Sequence, residues 1–378
     1  MRTGGASCSW FDTIARNKNN SQLIRLMNHV VIMAGGIGSR FWPLSTPDYP
    51  KQFIDILGVG RTLIQMTIDR FSTIAEPANF WVVTNAKYVD IVREQLPMIP
   101  AENILAEPAA RNTAPCVAWA GWRILQKDPD ANIVVTPADA VILNVSLFRT
   151  IISEALSYTR DTNAIVTLGI VPNRPETGYG YVEVADSIMG NVHKVASFRE
   201  KPNLETAKQY LEAGNYLWNA GIFVWSVRTL VASIRQYVPQ IAGQMDRMVP
   251  AEGKEGEPAD TIFPSCEKIS IDYAVMEKHS NVCTIPADVQ WSDLGNWQSL
   301  YEKLQKDENG NAAVGNVRFI ESSNTIVHME TAKRVVIQGI HDCILSEKNG
   351  QFLICHRSEE QRIKEFSAGE SPKIVSNM

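Results

Sequence analysis

Four short apolar runs, 29–34, 80–84, 133–136 and 164–171, recur between longer amphipathic stretches, and this alternation limits the possible folds more than any other feature of the chain. Strands that are apolar on both faces need helices on both sides of their sheet, which is the arrangement of a mostly parallel, mixed α/β sheet flanked by helices. Residues 113–126 supply one such helix. Ala114, Val117, Ala118, Gly121, Ile124 and Leu125 fall at helical spacing, Thr113 is placed to cap it, and Pro115 is tolerated in its first turn. A second helical stretch is predicted from Val227 to Gln244, followed by a Gly/Glu/Pro-rich loop over 250–259 and a helical run near 271–279. From about residue 311 the text changes to short strands separated by Asn, Gly and Asp turns, which predicts a small β-rich unit, either a short β-helix or a sandwich. The expected organisation is a polar N-terminal extension over 1–26, an α/β domain over 27–305 and a β-rich C-terminal domain over 306–378. The extension is expected to be dispensable, with Met27 as the natural first residue.

Hydrophobic residues at 45% and charged residues at 20% fit a packed core and set disordered and coiled-coil classes aside. With a net charge of −5 and no dense Lys/Arg block, the chain lacks the surface that a nucleic-acid partner requires. Six cysteines without CxxC pairing predict reduced thiols rather than a zinc site. No apolar run approaches the ~20 residues of a membrane span, and no signal peptide is evident, so no membrane partner and a cytoplasmic location are expected.

The first strand runs into Ala34-Gly35-Gly36-Ile37-Gly38-Ser39-Arg40, with Pro50-Lys51-Gln52-Phe53 further on. Glycines at the carboxyl end of a strand let backbone N–H groups converge on phosphate oxygens, in the place where open α/β sheets bind ligands. A dinucleotide fingerprint counted from Gly36 and Gly38 needs a third glycine where Phe41 stands, and a Walker loop needs a Gly-Lys-Ser/Thr that is missing. What remains is a glycine loop with two cations, Arg40 and Lys51, suited to a triphosphate.

The run from Met33 to Phe53, with its Phe41-Trp42-Pro43-Leu44-Ser45 and Pro50-Lys51-Gln52-Phe53 pieces, resembles the signature of the sugar-1-phosphate nucleotidyltransferases, in the form carried by mannose-1-phosphate guanylyltransferases. Further stretches follow in the family's order: Glu107-Pro108-Ala109-Ala110-Arg111-Asn112-Thr113-Ala114-Pro115, Thr136-Pro137-Ala138-Asp139, Thr177-Gly178-Tyr179-Gly180-Tyr181, Phe198-Arg199-Glu200-Lys201-Pro202, Trp218-Asn219-Ala220-Gly221 and Trp291-Ser292-Asp293-Leu294-Gly295. The likeness is dense over about 28–300 and looser beyond. It implies the Rossmann-like fold of nucleotide-diphospho-sugar transferases, with a short left-handed β-helix as the C-terminal part.

The resemblance also implies an activity, the transfer of GMP from GTP to α-D-mannose 1-phosphate with release of pyrophosphate, and Mg²⁺ as cofactor. Ala34, Gly35, Gly36 and Gly38 then bind the nucleotide, with Asn112 and Thr113 as candidates for reading guanine. Asp139 and Asp293 hold the metal, an ion that needs only one or two carboxylates besides water and phosphate. Arg40 and Lys51 stabilise the leaving pyrophosphate, and Gly180, Glu200, Lys201 and Asn219 receive the sugar phosphate. The family often carries His after the first aspartate, where this chain has Ala140. Taken singly, Asn112 and Thr113 also read as helix caps, Asp139 as a turn former and Asp293 as an N-cap. The run Ser270-Ile271-Asp272-Tyr273 matches too and is assigned to helix packing.

A homodimer is an open expectation, and an isomerase activity is not expected. Rival classes are a transferase for another base or hexose, a non-catalytic nucleotide-sugar sensor and a nicotinamide-dependent oxidoreductase, the last disfavoured by glycine spacing. Six scattered histidines give no support to a Ser-His-Asp hydrolase.

Overall fold

The computed structural model describes residues 27–368 apart from 37, 252 and 330–332, so the expected extension over 1–26 lies outside the described residues. The chain divides into two compact units. The first contains β1 (Asn28–Met33) with Arg70–Pro137 and Asn144–Val289; the second contains Ala34–Asp69, Ala138–Leu143 and the described residues from Gln290 onward.

In the first unit, β1 joins β2 (Phe80–Asn85), β3 (Ile104–Glu107), β4 (Asn132–Pro137), β5 (Ile165–Ile170), β6 (Tyr181–Met189), β7 (Val192–Arg199), β8 (Tyr216–Ser226) and β9 (Val282–Pro286). Among the described residues these form one sheet in the order β3-β2-β1-β4-β8-β5-β9-β7-β6. The run β3-β2-β1-β4 is parallel, as is the pair β5–β9, while β8 enters antiparallel to both β4 and β5. Val30, Val31 and Ile32 are fully buried, as the apolar pattern requires of a central strand covered on both faces. Helix Thr113–Lys127 packs Val117, Ala118 and Ile124 into a core shared with Trp225, Leu230 and Ile234.

Two local expectations are corrected. The stretch 227–244 is not one helix: Val227–Tyr237 ends at Val238, and Pro239 opens a second helix, Pro239–Met248. Proline has no N–H for the preceding turn but suits a first helical position, so the chain turns there. The cap of helix Thr113–Lys127 is Asn112 rather than Thr113.

The second unit brings Phe41, Leu44, Ile56 and Val141 into one apolar cluster with Trp297, Ile326, Ile344 and Leu353. This packing draws 34–69 and 138–143 to the C-terminal residues, so the compact units cut the chain differently from a division at 305. Here β10 (Ala312–Val314), β12 (Ile326–His328) and β14 (Cys343–Lys348) pair in parallel, as do β11 (Asn316–Ile320) and β13 (Arg334–Gln338). Ile326 lies beside Ile344 and Val317 beside Val335, a stacking of successive coils that suits a β-helix; a sandwich would pair its strands antiparallel. β15 (Gln351–His356) turns back antiparallel against β14.

Candidate active site

The glycine loop belongs to the second unit. Gly38 has a left-handed backbone (φ 67°), and a Cβ there would lie 2.6 Å from Cγ of Lys51, so glycine answers both the turn and the close approach. Gln52, almost wholly buried, donates through Nε2 to the carbonyls of Ala34 (3.0 Å) and Gly36 (2.9 Å), which fixes the loop's carbonyls and leaves Gly35 and Gly36 exposed. The signal for Gln52 was present in the Pro-Lys-Gln-Phe run, but it reads as a fixed support only once the loop has folded over it.

Lys51 is the centre of this cluster. Its side chain is 8% exposed, and Nζ lies 3.0 Å from Asp139 Oδ2, 2.7 Å from the Asp293 carbonyl and 2.9 Å from the Leu294 carbonyl. An ammonium has three donors, and these three acceptors use them all. The two aspartate loops are also stapled directly, Val141 and Ser292 exchanging N–H···O bonds of 2.8 and 2.9 Å. Asp139 and Asp293 therefore stand in the same corner of the unit, a placement that two residues sharing a metal would need. Asp293 does not cap a helix: its Oδ1 accepts from the Gly295 N–H, and Asn296 caps Trp297–Lys303. Arg40 is exposed and donates through Nη1 to the Gly295 carbonyl at 3.1 Å.

Whether this corner suits Mg²⁺ can be judged from its donors. Two aspartates stand on loops that Lys51 and the Val141–Ser292 pair bind together, and no cluster of three or more His, Cys, Asp or Glu exists among the described residues. That set fits an ion that takes oxygen ligands and keeps most of its shell for water and phosphate, and it does not fit zinc.

The expected sugar-phosphate residues assemble in the first unit. Gly180 sits where a Cβ would collide with Glu200 Oε2, and its carbonyl accepts from the Asn219 N–H at 2.8 Å. Glu200 forms an ion pair with Lys201, whose φ of 49° is left-handed. Asn219 has a determined orientation. Its Oδ1 accepts from the Thr167 hydroxyl (2.8 Å) and the Gly221 N–H (3.2 Å), so Nδ2 faces Asp272 Oδ1 at 3.1 Å. Asp272, assigned to helix packing from the sequence, is a member of this group. Burial and the neighbouring Glu200 charge push its carboxyl up to about 6. Burial pulls Lys201 down, but Glu200 and Asp272 outweigh it and its pKa is raised.

Asn112 and Thr113, also in this unit, are both engaged. Asn112 Oδ1 accepts from the Thr113 N–H at 2.9 Å, and Thr113 Oγ1 accepts from the Ile271 N–H at 2.8 Å. In the same motif the sequence reading passed over Glu107, which is 7% exposed and whose Oε1 is buried without a partner. Burial pushes its carboxyl up to about 7, only partly opposed by a hydrogen bond with Cys116.

No helix among the described residues is long and apolar enough to cross a membrane. The nucleotidyl transferase family matches residues 29–310. A mannose-1-phosphate guanylyltransferase of Escherichia coli (strain K12) is 36% identical over 345 residues, covering 88% of this chain and 71% of that protein. The alginate biosynthesis protein AlgA of Pseudomonas syringae pv. tomato is 35% identical over 347 residues, 89% of this chain and 71% of its own length. A crystal structure from Thermus thermophilus, described as a mannose-1-phosphate geranyltransferase, superposes with a TM-score of 0.82 at 27% identity, over 90% of this chain and 98% of that one. The chain belongs to the nucleotidyl transferase family, and within it to the mannose-1-phosphate guanylyltransferases.

Proposed function

We propose that this protein transfers GMP from GTP to α-D-mannose 1-phosphate, giving GDP-mannose and pyrophosphate. The observation that carries the reading is the Lys51 knot, in which one buried ammonium gathers Asp139 and the Asp293 loop beside the glycine loop. The sugar's phosphate oxygen attacks the α-phosphorus in line and pyrophosphate leaves from the opposite side. Such a nucleophile is already an anion, so positioning and charge neutralisation are the main demands.

In this reading the exposed amides at Gly35 and Gly36 receive phosphate oxygens, and Arg40 stabilises the leaving pyrophosphate. Lys51 keeps the frame of the site in place, a task that comes before any contact with ligand because its three hydrogens are already taken. Asp139 and Asp293 would hold Mg²⁺, which would supply positive charge against the phosphates. Asn112, Thr113 and the neighbouring Glu107 are assigned to the guanine end. Lys201 holds the attacking phosphate, Glu200 accepts from sugar hydroxyls, and Asn219, held by Asp272, offers one of them its remaining Nδ2 hydrogen. A cytoplasmic location, where GTP and hexose phosphates are made, goes with this function, as does a homodimer, which sedimentation equilibrium reads directly.

The test is pyrophosphate release with four nucleoside triphosphates against several hexose 1-phosphates, with and without Mg²⁺. GTP with mannose 1-phosphate should lead the panel and require the metal; a clear preference for another base or hexose would overturn the assignment. A sharper check concerns Gly180→Ala. The added methyl displaces Glu200 from its place without touching the core, so KM for mannose 1-phosphate should rise about tenfold while KM for GTP stays unchanged. Equal effects on both constants would remove Gly180 and Glu200 from the sugar site.

A further inference from the structure

The second unit contains a cavity of about 480 Å³ that none of the roles above uses. Leu44, Phe53, Ile54, Val314 and Met329 form its apolar wall, with Tyr49 at its edge and Asp55, Thr62, His328, Glu347 and Lys348 as its polar members. Its size lies within the usual range of small-molecule sites, about 300–1,000 Å³.

His328 ends β12, between Val314 of β10 and Ser346 of β14, and is 8% exposed. Neither ring nitrogen meets hydrogen-bond geometry with any protein group. Burial lowers its pKa to about 4, although the nearby backbone of Asp55 and Ile56 resists the fall, so the ring is neutral near pH 7. A neutral imidazole has one N–H and one lone-pair nitrogen. Backbone carbonyls could serve only the N–H; the lone pair requires a donor. A hydroxyl group both donates and accepts, and so complements this ring.

The charges around the cavity cancel. Glu347 is paired with Lys333 at 2.7 Å, which holds its carboxyl below the usual range, and Asp55 and Lys348 have opposite signs. A phosphate therefore finds no net positive field here. Asp55 is fixed by the N–H groups of Val59 and Gly60, and its carboxylate has lone pairs left for further donors. Tyr49 and Phe53 meet edge to face at 6.5 Å, Phe53 buried and Tyr49 exposed, so that Tyr49 presents ring surface whose negative face attracts polarised C–H bonds.

We propose that this cavity is an effector site for an uncharged pyranose. Phe53 in its wall also closes the turn Lys51–Phe53, so occupancy acts directly on the segment that carries Lys51 and Gln52.

The experiment is saturation-transfer NMR of the full chain with methyl α-D-mannopyranoside, in the presence of saturating mannose 1-phosphate so that the sugar-phosphate site is filled. Transfer to the ring protons is expected, with binding weakened about tenfold in His328→Leu, the effect of one lost buried hydrogen bond. Thr62→Trp, which fills the cavity from its edge, should abolish the transfer independently of how well the His328 variant folds. Inorganic phosphate should not compete. Absence of transfer in the wild type, transfer unchanged in both variants, or displacement by phosphate would each overturn the site. The binding readout does not depend on the proposed reaction. Turnover at saturating substrates should change at least about twofold on adding the glycoside, and only with an intact cavity. Binding with unaltered turnover would overturn the effector role.

Discussion

Replacing Lys51 by methionine should lower GMP transfer by about 100-fold or more and destabilise the folded chain by about 3 kcal/mol. The sequence alone predicts the first effect but not the second, because a lysine after a glycine loop reads as a phosphate ligand on an otherwise indifferent surface. In the folded chain its ammonium is buried, with Asp139 and two carbonyls as partners. Methionine keeps the stem packed against Gly38 but leaves a carboxylate and two carbonyls without their donor. Breaking a fully buried pair from one side costs several kcal/mol; here Asp139 is 32% exposed and open to water, so the figure stands at the lower end, with the two carbonyls that lose their donor included. Arg40→Ala is the control, since Arg40 is exposed and gives a single hydrogen bond to the Gly295 carbonyl. That variant should lose turnover and keep its stability. Urea denaturation beside pyrophosphate release separates the two cases. If Lys51→Met were inactive and fully stable, the ammonium would be a ligand for substrate and the knot incidental.

This contrast shows what the sequence could disclose. Strand positions were legible because β1, β2, β4 and β5 are apolar on both faces, a pattern that needs no knowledge of partners. Gly38 was legible because only glycine suits its backbone and the approach of Lys51. Lys51's partners were not, for they are carbonyls of Asp293 and Leu294, groups that every residue carries and that lie 242 and 243 positions away. Asp272 was set aside for a related reason. Its place in a short helical run suggests packing, and its contact with Asn219 becomes visible only when the Gly221 N–H fixes which way that amide points. Asn112 and Thr113 both read as caps from the sequence, and the backbone at Asn112, with φ of 66°, decides between them.

Glu107→Gln should remove a pH dependence that the wild type shows between about 4.5 and about 7. The Glu107 carboxyl is raised from 4.5 to about 7, chiefly by burial. Over that window the folded chain holds a proton that the unfolded chain has released, so stability is greatest below the unfolded value and falls as pH rises through the folded one. The shift corresponds to about 3 kcal/mol in total, with no further change above the folded value. Glutamine keeps the shape and an acceptor for Cys116 but cannot ionise, so the variant should be the more stable protein at pH 8 and nearly equal to wild type at pH 4. Asp272, raised from 3.8 to about 6, adds a slope of the same sign at lower pH, and the buried His29 and His328, lowered from 6.5 to about 4, add one of opposite sign up to about 7, so it is the difference between the two proteins over the interval from about 6 to about 7 that isolates Glu107. Parallel stability curves for the two proteins across that interval would mean that Glu107 is ionised in the fold and has found a cation or donor, in which case its proposed place at the guanine end would call for a partner other than the base.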